Sequence, residues 1–261
     1  MPNFCVNLNF LFKEHEFLDR FNAAHEAGFD TIEFMFPYEY EAEEIAELLK
    51  KNNLKQVLFN LPAGDWDGGS RGIAANPARV EEFRNGVDSA IEYARVLDVE
   101  RINCLAGLAV EGVSYEEQWQ TLKENMTYAS SRLAKENRQL LIEAINTIDV
   151  PGFFIPTTAD ALRIMDEIGD PNIKLQYDVY HMQRIEGNLI ETISTNLDRI
   201  GHIQIADVPV RHQPGTGEIN YRFLFEKLDS LGYEGFVALE YIPQPDTVSS
   251  LKWFNQLGLT L

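Results

Sequence analysis

Four segments of the chain place an oxygen-bearing side chain at the same kind of position. LLIE (140–143), LQYD (175–178), HIQI (202–205) and VALEY (237–241) are short apolar runs that deliver Glu143, Asp178, Gln204 and Glu240. Side chains alternate across a strand. Ile142, Tyr177, Ile203, Ile205 and Leu239 therefore point to one face, and the four polar residues to the other. If the apolar face packs beneath helices, the polar residues converge on a common axis. Three carboxylates brought together in this way repel one another unless a cation neutralises them. An all-oxygen donor set suits Mg²⁺ or Mn²⁺ better than Zn²⁺, which prefers His and Cys. Such a cation beside carboxylates is equipment for moving a proton next to a carbonyl group.

Other polar residues lie close to these runs. His181 follows Asp178 by three residues and is placed to hold a substrate oxygen. Arg211, in PVRHQPGTG, is a candidate clamp for an anionic group, and His212 stands beside it. Residues 61–76, LPAGDWDGGSRGIAAN, form a long Gly-rich connection that carries Trp66 and Arg71. Loops of that length are usually functional or disordered, and the aromatic and cationic residues suggest a lid over a small ligand. Asp207 is a further oxygen donor near Gln204. His202 shares parity with Gln204 and is expected inside, one layer lower; His15 and His25 are expected at the surface.

The elements that must position these residues follow from periodicity. Strand-like runs occur at 3–9, 30–35, 54–60, 101–105, 138–143, 173–178, 201–206 and 235–241. Helical spacing of apolar residues appears over 16–27, 41–52, 77–97, 115–136, 157–169, 187–199 and 220–231. Gly28 and Gly232 are placed as C-caps, and Thr157 or Thr158 as an N-cap. Strands alternating with helices imply a parallel sheet under helical cover. Eight such units in 261 residues predict an α/β fold, a single (β/α)₈ TIM barrel spanning residues 1–261 as one domain. No GxGxxG or GxxxxGK[ST] pattern follows a strand, which disfavours a nucleotide-binding open sheet.

Composition excludes several functions. Against 22 Lys and Arg stand 41 Asp and Glu, a net charge of −19 that repels phosphate backbones and argues against nucleic-acid binding. No apolar run reaches membrane-span length, and the N-terminus lacks a basic-then-apolar leader, so no membrane partner is expected. The two cysteines, Cys5 and Cys104, are too few for a disulfide scaffold. Both are read as buried small apolar residues in a cytoplasmic protein. The sequence leaves the oligomeric state open, a homo-oligomer included.

Taken together, the segments NLPAGDWDGGSRGIAANPAR, RINCLAG, LLIEAIN, LQYDVYHMQ, HIQIADVPVRHQPGTGEINY and LEYIP resemble the hydroxypyruvate isomerases of the xylose-isomerase-like barrel superfamily. The resemblance runs over nearly the whole chain. It implies a metal-dependent interconversion of hydroxypyruvate and tartronate semialdehyde. It also implies Glu143, Asp178, Gln204 and Glu240 as metal ligands, with Glu143 and Glu240 as the acid/base pair. His181, Arg211, Arg71 and Trp66 would contact substrate. A 2-oxo-tetronate isomerase or a ketose 3-epimerase would use the same scaffold and ligands. An apurinic-site endonuclease of the superfamily would need more histidines and a basic groove. Three segments depart from the family pattern: Ala144 stands where proline follows the glutamate, Val210 and Gln213 alter the PGRHEPG loop, and Ile242 replaces a lysine. The last change leaves a substrate carboxylate to Arg71 or Arg211, or implies a substrate whose distal end is less charged.

Overall fold

The structure is a computed structural model and describes residues 2–259. The apolar runs form nine parallel strands: β1 (Asn3–Asn7), β2 (Thr31–Glu33), β3 (Lys55–Gln56), β4 (Leu58–Asn60), β5 (Arg101–Cys104), β6 (Gln139–Glu143), β7 (Ile173–Asp178), β8 (Ile200–Ile205) and β9 (Phe236–Leu239). Their order around the sheet is β3-β2-β1-β9-β8-β7-β6-β5-β4. The two ends of that series, β3 and β4, are consecutive in the chain and separated only by Val57. The expected third strand, 54–60, is thus one strand broken in two. Its first part pairs with β2 and its second with β5. The Val57 and Asn60 amides donate to the carbonyls of Ile32 and Met35, 2.9 and 2.8 Å away, so the ring closes across the break. The architecture is therefore the expected eight-position barrel.

Helices cover the outside of this sheet. They are α1 (Arg20–Glu26), α2 (Ala42–Lys51), α3 (Val80–Leu97), α4 (Tyr115–Ala134), α5 (Thr158–Ile168), α6 (Val179–Ile185), α7 (Leu189–Asn196), α8 (Tyr221–Ser230), α9 (Thr247–Ser250) and α10 (Trp253–Leu257). In α3 the buried residues Phe83, Val87, Ala90, Ile91 and Ala94 recur at helical spacing and face the strands. Thr157 caps α5 by accepting from the Asp160 amide, and Gly28 and Gly232 take positive φ just past α1 and α8. The pattern reading missed α6, α9 and α10. Each spans fewer than two full turns, too short to display a period. The expected helix over 187–199 is α7 followed by a 3₁₀ turn at Leu197–Arg199.

The apolar mass lies between sheet and helices. The barrel interior holds a much smaller plug of Cys5, Val57, Leu58, Leu141 and Ala238. Above the plug, toward the C-terminal strand ends, the interior is polar: Asn7, Glu33, Asn103, Glu143, Gln176, Gln204 and Glu240 are all buried. A cavity of ≈ 680 Å³ opens over this layer. No helix among the described residues is long and apolar enough to cross a membrane.

Candidate active site

The strand-end residues converge as parity requires. Glu143 ends β6, and its register partner on β7 is Gln176. Asp178 ends β7 opposite Gln204 on β8, and Gln204 lies opposite Ala238 on β9, two residues before Glu240. All four expected ligand residues are buried, Glu143 and Glu240 at 5% and 7% exposure, more enclosed than residues facing solvent. Asp178 is also the N-cap of α6: its Oδ1 accepts from the amides of Tyr180 (2.7 Å) and His181 (3.2 Å). That leaves Oδ2 directed at the site, 3.5 Å from His181 Nε2 and 3.4 Å from Arg211 Nη2.

A belt of side-chain amides ties the carboxylates together. Asn103 Nδ2 and Gln176 Nε2 both donate to Glu143 Oε2 at 2.9 Å. Gln176 Nε2 also donates to Gln204 Oε1 at 2.8 Å. Gln204 Nε2 donates to Glu33 Oε1 at 2.8 Å and makes a short hydrogen bond to Glu240 Oε2. Asn7 Nδ2 bridges the same two carboxylates at 2.9 and 3.1 Å. Beneath, Glu33 Oε2 meets His202 Nε2 at 2.6 Å, which places His202 inside and one layer down, as its parity predicts. Glu33, Asn7, Asn103 and Gln176 were not singled out from sequence. The strand-end rule applied to DTIEFM, CVNLN and RINCL, as it was to the last four strands, would have found the first three.

Burial and charge crowding raise the acids of this layer. Burial, with the Asp178 charge next, pushes the Glu143 carboxyl up to about 8. Burial lifts Asp178 to about 6 against the pull of Arg211. Glu240 is held well above the usual carboxylate range, chiefly by burial. Burial, with help from Arg211 and Arg184, drives the His181 imidazole well below its usual value, so the ring is neutral.

Arg211 enters from the loop after β8. Its Nη2 donates to Glu240 Oε1 at 2.5 Å, and its guanidinium lies over the rings of Phe10 (4.6 Å) and Tyr180 (4.9 Å). Its backbone takes φ 58°, a left-handed conformation disfavoured for a residue with a Cβ. Asp207 holds the loop that imposes it. Its two carboxylate oxygens accept from the amides of Val208, Gly215, Gly217 and Ile219 at 2.9–3.1 Å. Asp207 is thus committed to loop structure rather than available as a ligand. His212 is turned from the strand ends, with Nδ1 2.7 Å from the Ile242 carbonyl.

The connection 61–76 has more structure than its composition suggested. Gly72 bridges to Ala106, and Arg71 Nη1 donates to the carbonyls of Trp66 and Ser70 at 2.8 and 2.7 Å. The Arg71 guanidinium lies 4.4 Å over the Trp66 ring, and Trp66 packs on Phe36. Trp66 and Arg71 both line the cavity, as do His181, Arg211, Ile242 and Lys13, which sequence reasoning passed over.

These groups fit a hard divalent cation. Three buried carboxyl groups, Glu143, Asp178 and Glu240, crowd about the Arg211 guanidinium, and a cation among them would relieve the burial and crowding that raise their proton affinities. Glu143 and Asp178 present carboxylate oxygens within 4.8 Å of each other. Two buried acceptors beside Glu143, Gln176 Oε1 and Asn103 Oδ1, lack a protein donor.

A family model described as xylose isomerase-like TIM barrel matches residues 21–257. The hydroxypyruvate isomerase of Escherichia coli is 51% identical over 98% of this chain and 99% of its own length. The 2-oxo-tetronate isomerase of Cupriavidus necator is 44% identical over 98% of both. A Brucella melitensis crystal structure described as AP endonuclease, family 2, superposes with a TM-score of 0.95 at 43% identity, covering 98% of this chain and 99% of its own. The chain belongs to the xylose isomerase-like TIM barrel family and is an isomerase.

Proposed function

We propose that this isomerase interconverts hydroxypyruvate and tartronate semialdehyde (2-hydroxy-3-oxopropanoate) with the aid of Mg²⁺ or Mn²⁺. One observation carries the reading: three buried carboxylates meet at the strand ends with a single guanidinium to neutralise them. Glu143, Asp178, Gln204 and Glu240 would hold the ion. The bound ion supplies a Lewis acid for the substrate's carbonyl and hydroxyl oxygens. The reaction moves one proton from the hydroxymethyl carbon to the neighbouring carbonyl carbon through an enediolate, and a second from the hydroxymethyl oxygen to the carbonyl oxygen. Glu143 and Glu240 serve as the pair that takes and returns the first. Neutral His181 holds a substrate oxygen, and Arg211 orders the carboxylates. Trp66 and Arg71 close the mouth and keep water from the enediolate.

The 2-oxo-tetronates are the second reading, favoured by a cavity of ≈ 680 Å³, ample for a further carbon. A panel of hydroxypyruvate, 2-oxo-tetronates and common ketoses, run with and without divalent metal, decides between them. Turnover of hydroxypyruvate should vanish on chelation and return with Mg²⁺ or Mn²⁺. Full activity after exhaustive dialysis against chelator, with no metal by elemental analysis, would overturn the metal-assisted reading. A higher kcat/KM on a 2-oxo-tetronate would transfer the assignment to that substrate.

A further inference from the structure

His181 sits between two roles. Its ring faces Asp178 and Glu143 closely enough to be a third metal ligand, and it also lines the substrate cavity. The two roles need different tautomers. A ligand presents a bare Nε2, whereas a donor to a substrate oxygen presents Nε2–H. The choice is set by whatever meets the other ring nitrogen.

Nδ1 lies 2.6 Å from Asn146 Nδ2. Asn146 is fully buried, three residues past Glu143. Its amide orientation is fixed by contacts that do not involve His181. Oδ1 accepts from the backbone amides of Ile148 (3.1 Å) and Asp149 (2.9 Å). Nδ2 donates to Asp149 Oδ2 at 3.1 Å. Turning the amide over would set NH₂ against two N–H donors and an oxygen against a carboxylate. Asp149 is itself anchored, accepting from Tyr180 Oη at 2.7 Å and facing Arg184 at 3.5 Å. The second hydrogen of Nδ2 therefore points at His181 Nδ1, which must accept it.

We infer that Asn146 is a positioning residue that fixes His181 as the Nε2–H tautomer, making it a hydrogen-bond donor to the substrate rather than a metal ligand. The donor role rests on the reading of the site as an isomerase centre; the tautomer itself does not. Nε2–H then has two acceptors within its arc: Asp178 Oδ2, 3.5 Å away, and a substrate oxygen in the cavity. A donor aimed where negative charge develops on the enediolate accelerates its formation.

The test is long-range ¹H–¹⁵N spectroscopy of the histidine rings of the full chain. His181→Gln identifies the His181 signals among the five histidines. In the wild type, Nδ1 should resonate as an unprotonated nitrogen and Nε2 as a protonated one, before and after adding Mg²⁺. Asn146→Asp replaces the donor by an acceptor, so Nδ1 should gain a proton. Asn146→Ala removes the donor, and both nitrogens should move to intermediate, averaged positions. Circular dichroism confirms that each variant is folded, and the alanine variant serves if the aspartate one is not. The kcat/KM of Asn146→Asp, whose His181 presents a bare Nε2, should fall by roughly 10², the scale of one lost oxyanion donor, and that of Asn146→Ala by only a few-fold. A wild-type His181 carrying its proton on Nδ1, or losing the Nε2 proton on addition of Mg²⁺, overturns the inference. So does an unchanged Nδ1 signal in Asn146→Asp. None of these spectra needs substrate, so the tautomer can stand or fall apart from the assigned reaction.

Discussion

At the scale of single residues, the four oxygen donors at the strand ends were legible because alternation is strict and their neighbours are apolar. What the sequence concealed was the company they keep. Nothing in LQYD distinguishes Gln176 from a solvated glutamine, yet its amide links Glu143 to Gln204. Glu143→Gln and Glu240→Gln should each lower kcat by roughly 10² or more, the scale of a lost general acid or base. Steady-state kinetics on hydroxypyruvate checks this, and a variant keeping over about a tenth of wild-type kcat removes that residue from the pair. The anionic end of the substrate is a separate matter. The Arg211 guanidinium is engaged with Glu240 and Asp178, whereas Arg71 has no carboxylate partner among the described residues. Arg71 is therefore the better candidate of the two expected from sequence. Arg71→Ala should raise KM for hydroxypyruvate. Ile242→Lys, at a half-exposed cavity position, should lower it by up to about tenfold if the new pair is half desolvated. Values within about twofold of wild type in both variants would place the carboxylate elsewhere, with Lys13 the next cation to change.

Elements were readable in proportion to their length. The long helices α3 and α4 and the strands from β5 onward showed clear periods. Short α6 did not, and it matters most, because its first turn both satisfies Asp178 and carries His181. The break at Val57 was hidden for another reason: an unbroken apolar run gives no sign that its two halves pair with different neighbours. The connection 61–76 stood out by its length and composition, but its anchoring did not. The Gly72–Ala106 bridge and the Arg71 contacts fix its C-terminal part, while its tip at Asp65–Ser70 is largely exposed. That arrangement suits a lid whose tip moves on a fixed base. Trp66→Ala should raise KM or lower kcat with little change in unfolding midpoint. Limited proteolysis at the tip should slow when substrate and metal are present; equal rates with and without them would count against closure.

For the molecule as a whole, the barrel and the acidic balance were evident from alternation and composition, and the buried state of the cysteines from their strand positions. Both cysteines are free and buried. Burial pushes the Cys104 thiol up to about 12 and raises Cys5 well above the ordinary thiol value. Below those values the thiols are neutral, and the thiolate is the reactive form. The native protein should therefore take up no iodoacetamide at pH 8 while the urea-unfolded chain is alkylated at both positions. Rapid labelling of the native state, read by mass spectrometry, would show that the barrel plug (at Cys5) or the layer between sheet and helices (at Cys104) opens far more often than its packing implies.

The order of strands around the sheet also bears on how the protein is made. β1 is flanked by β2 and by β9, so one edge of it finds a partner early and the other must wait for almost the whole chain. Asn7 and Glu240, joined across that seam, are 233 residues apart. At ribosomal rates of about 5–20 residues per second, the gap is on the order of 10–50 s. Over that interval the growing chain carries an unpaired parallel edge of the kind that invites association with other chains. The Asn7–Glu240 and Glu33–Gln204 hydrogen bonds both cross from the N-terminal strands to the C-terminal ones. The buried polar layer thus comes into being only when the last strand seals the ring, and a nascent chain completes its candidate site at the moment it loses its exposed edge.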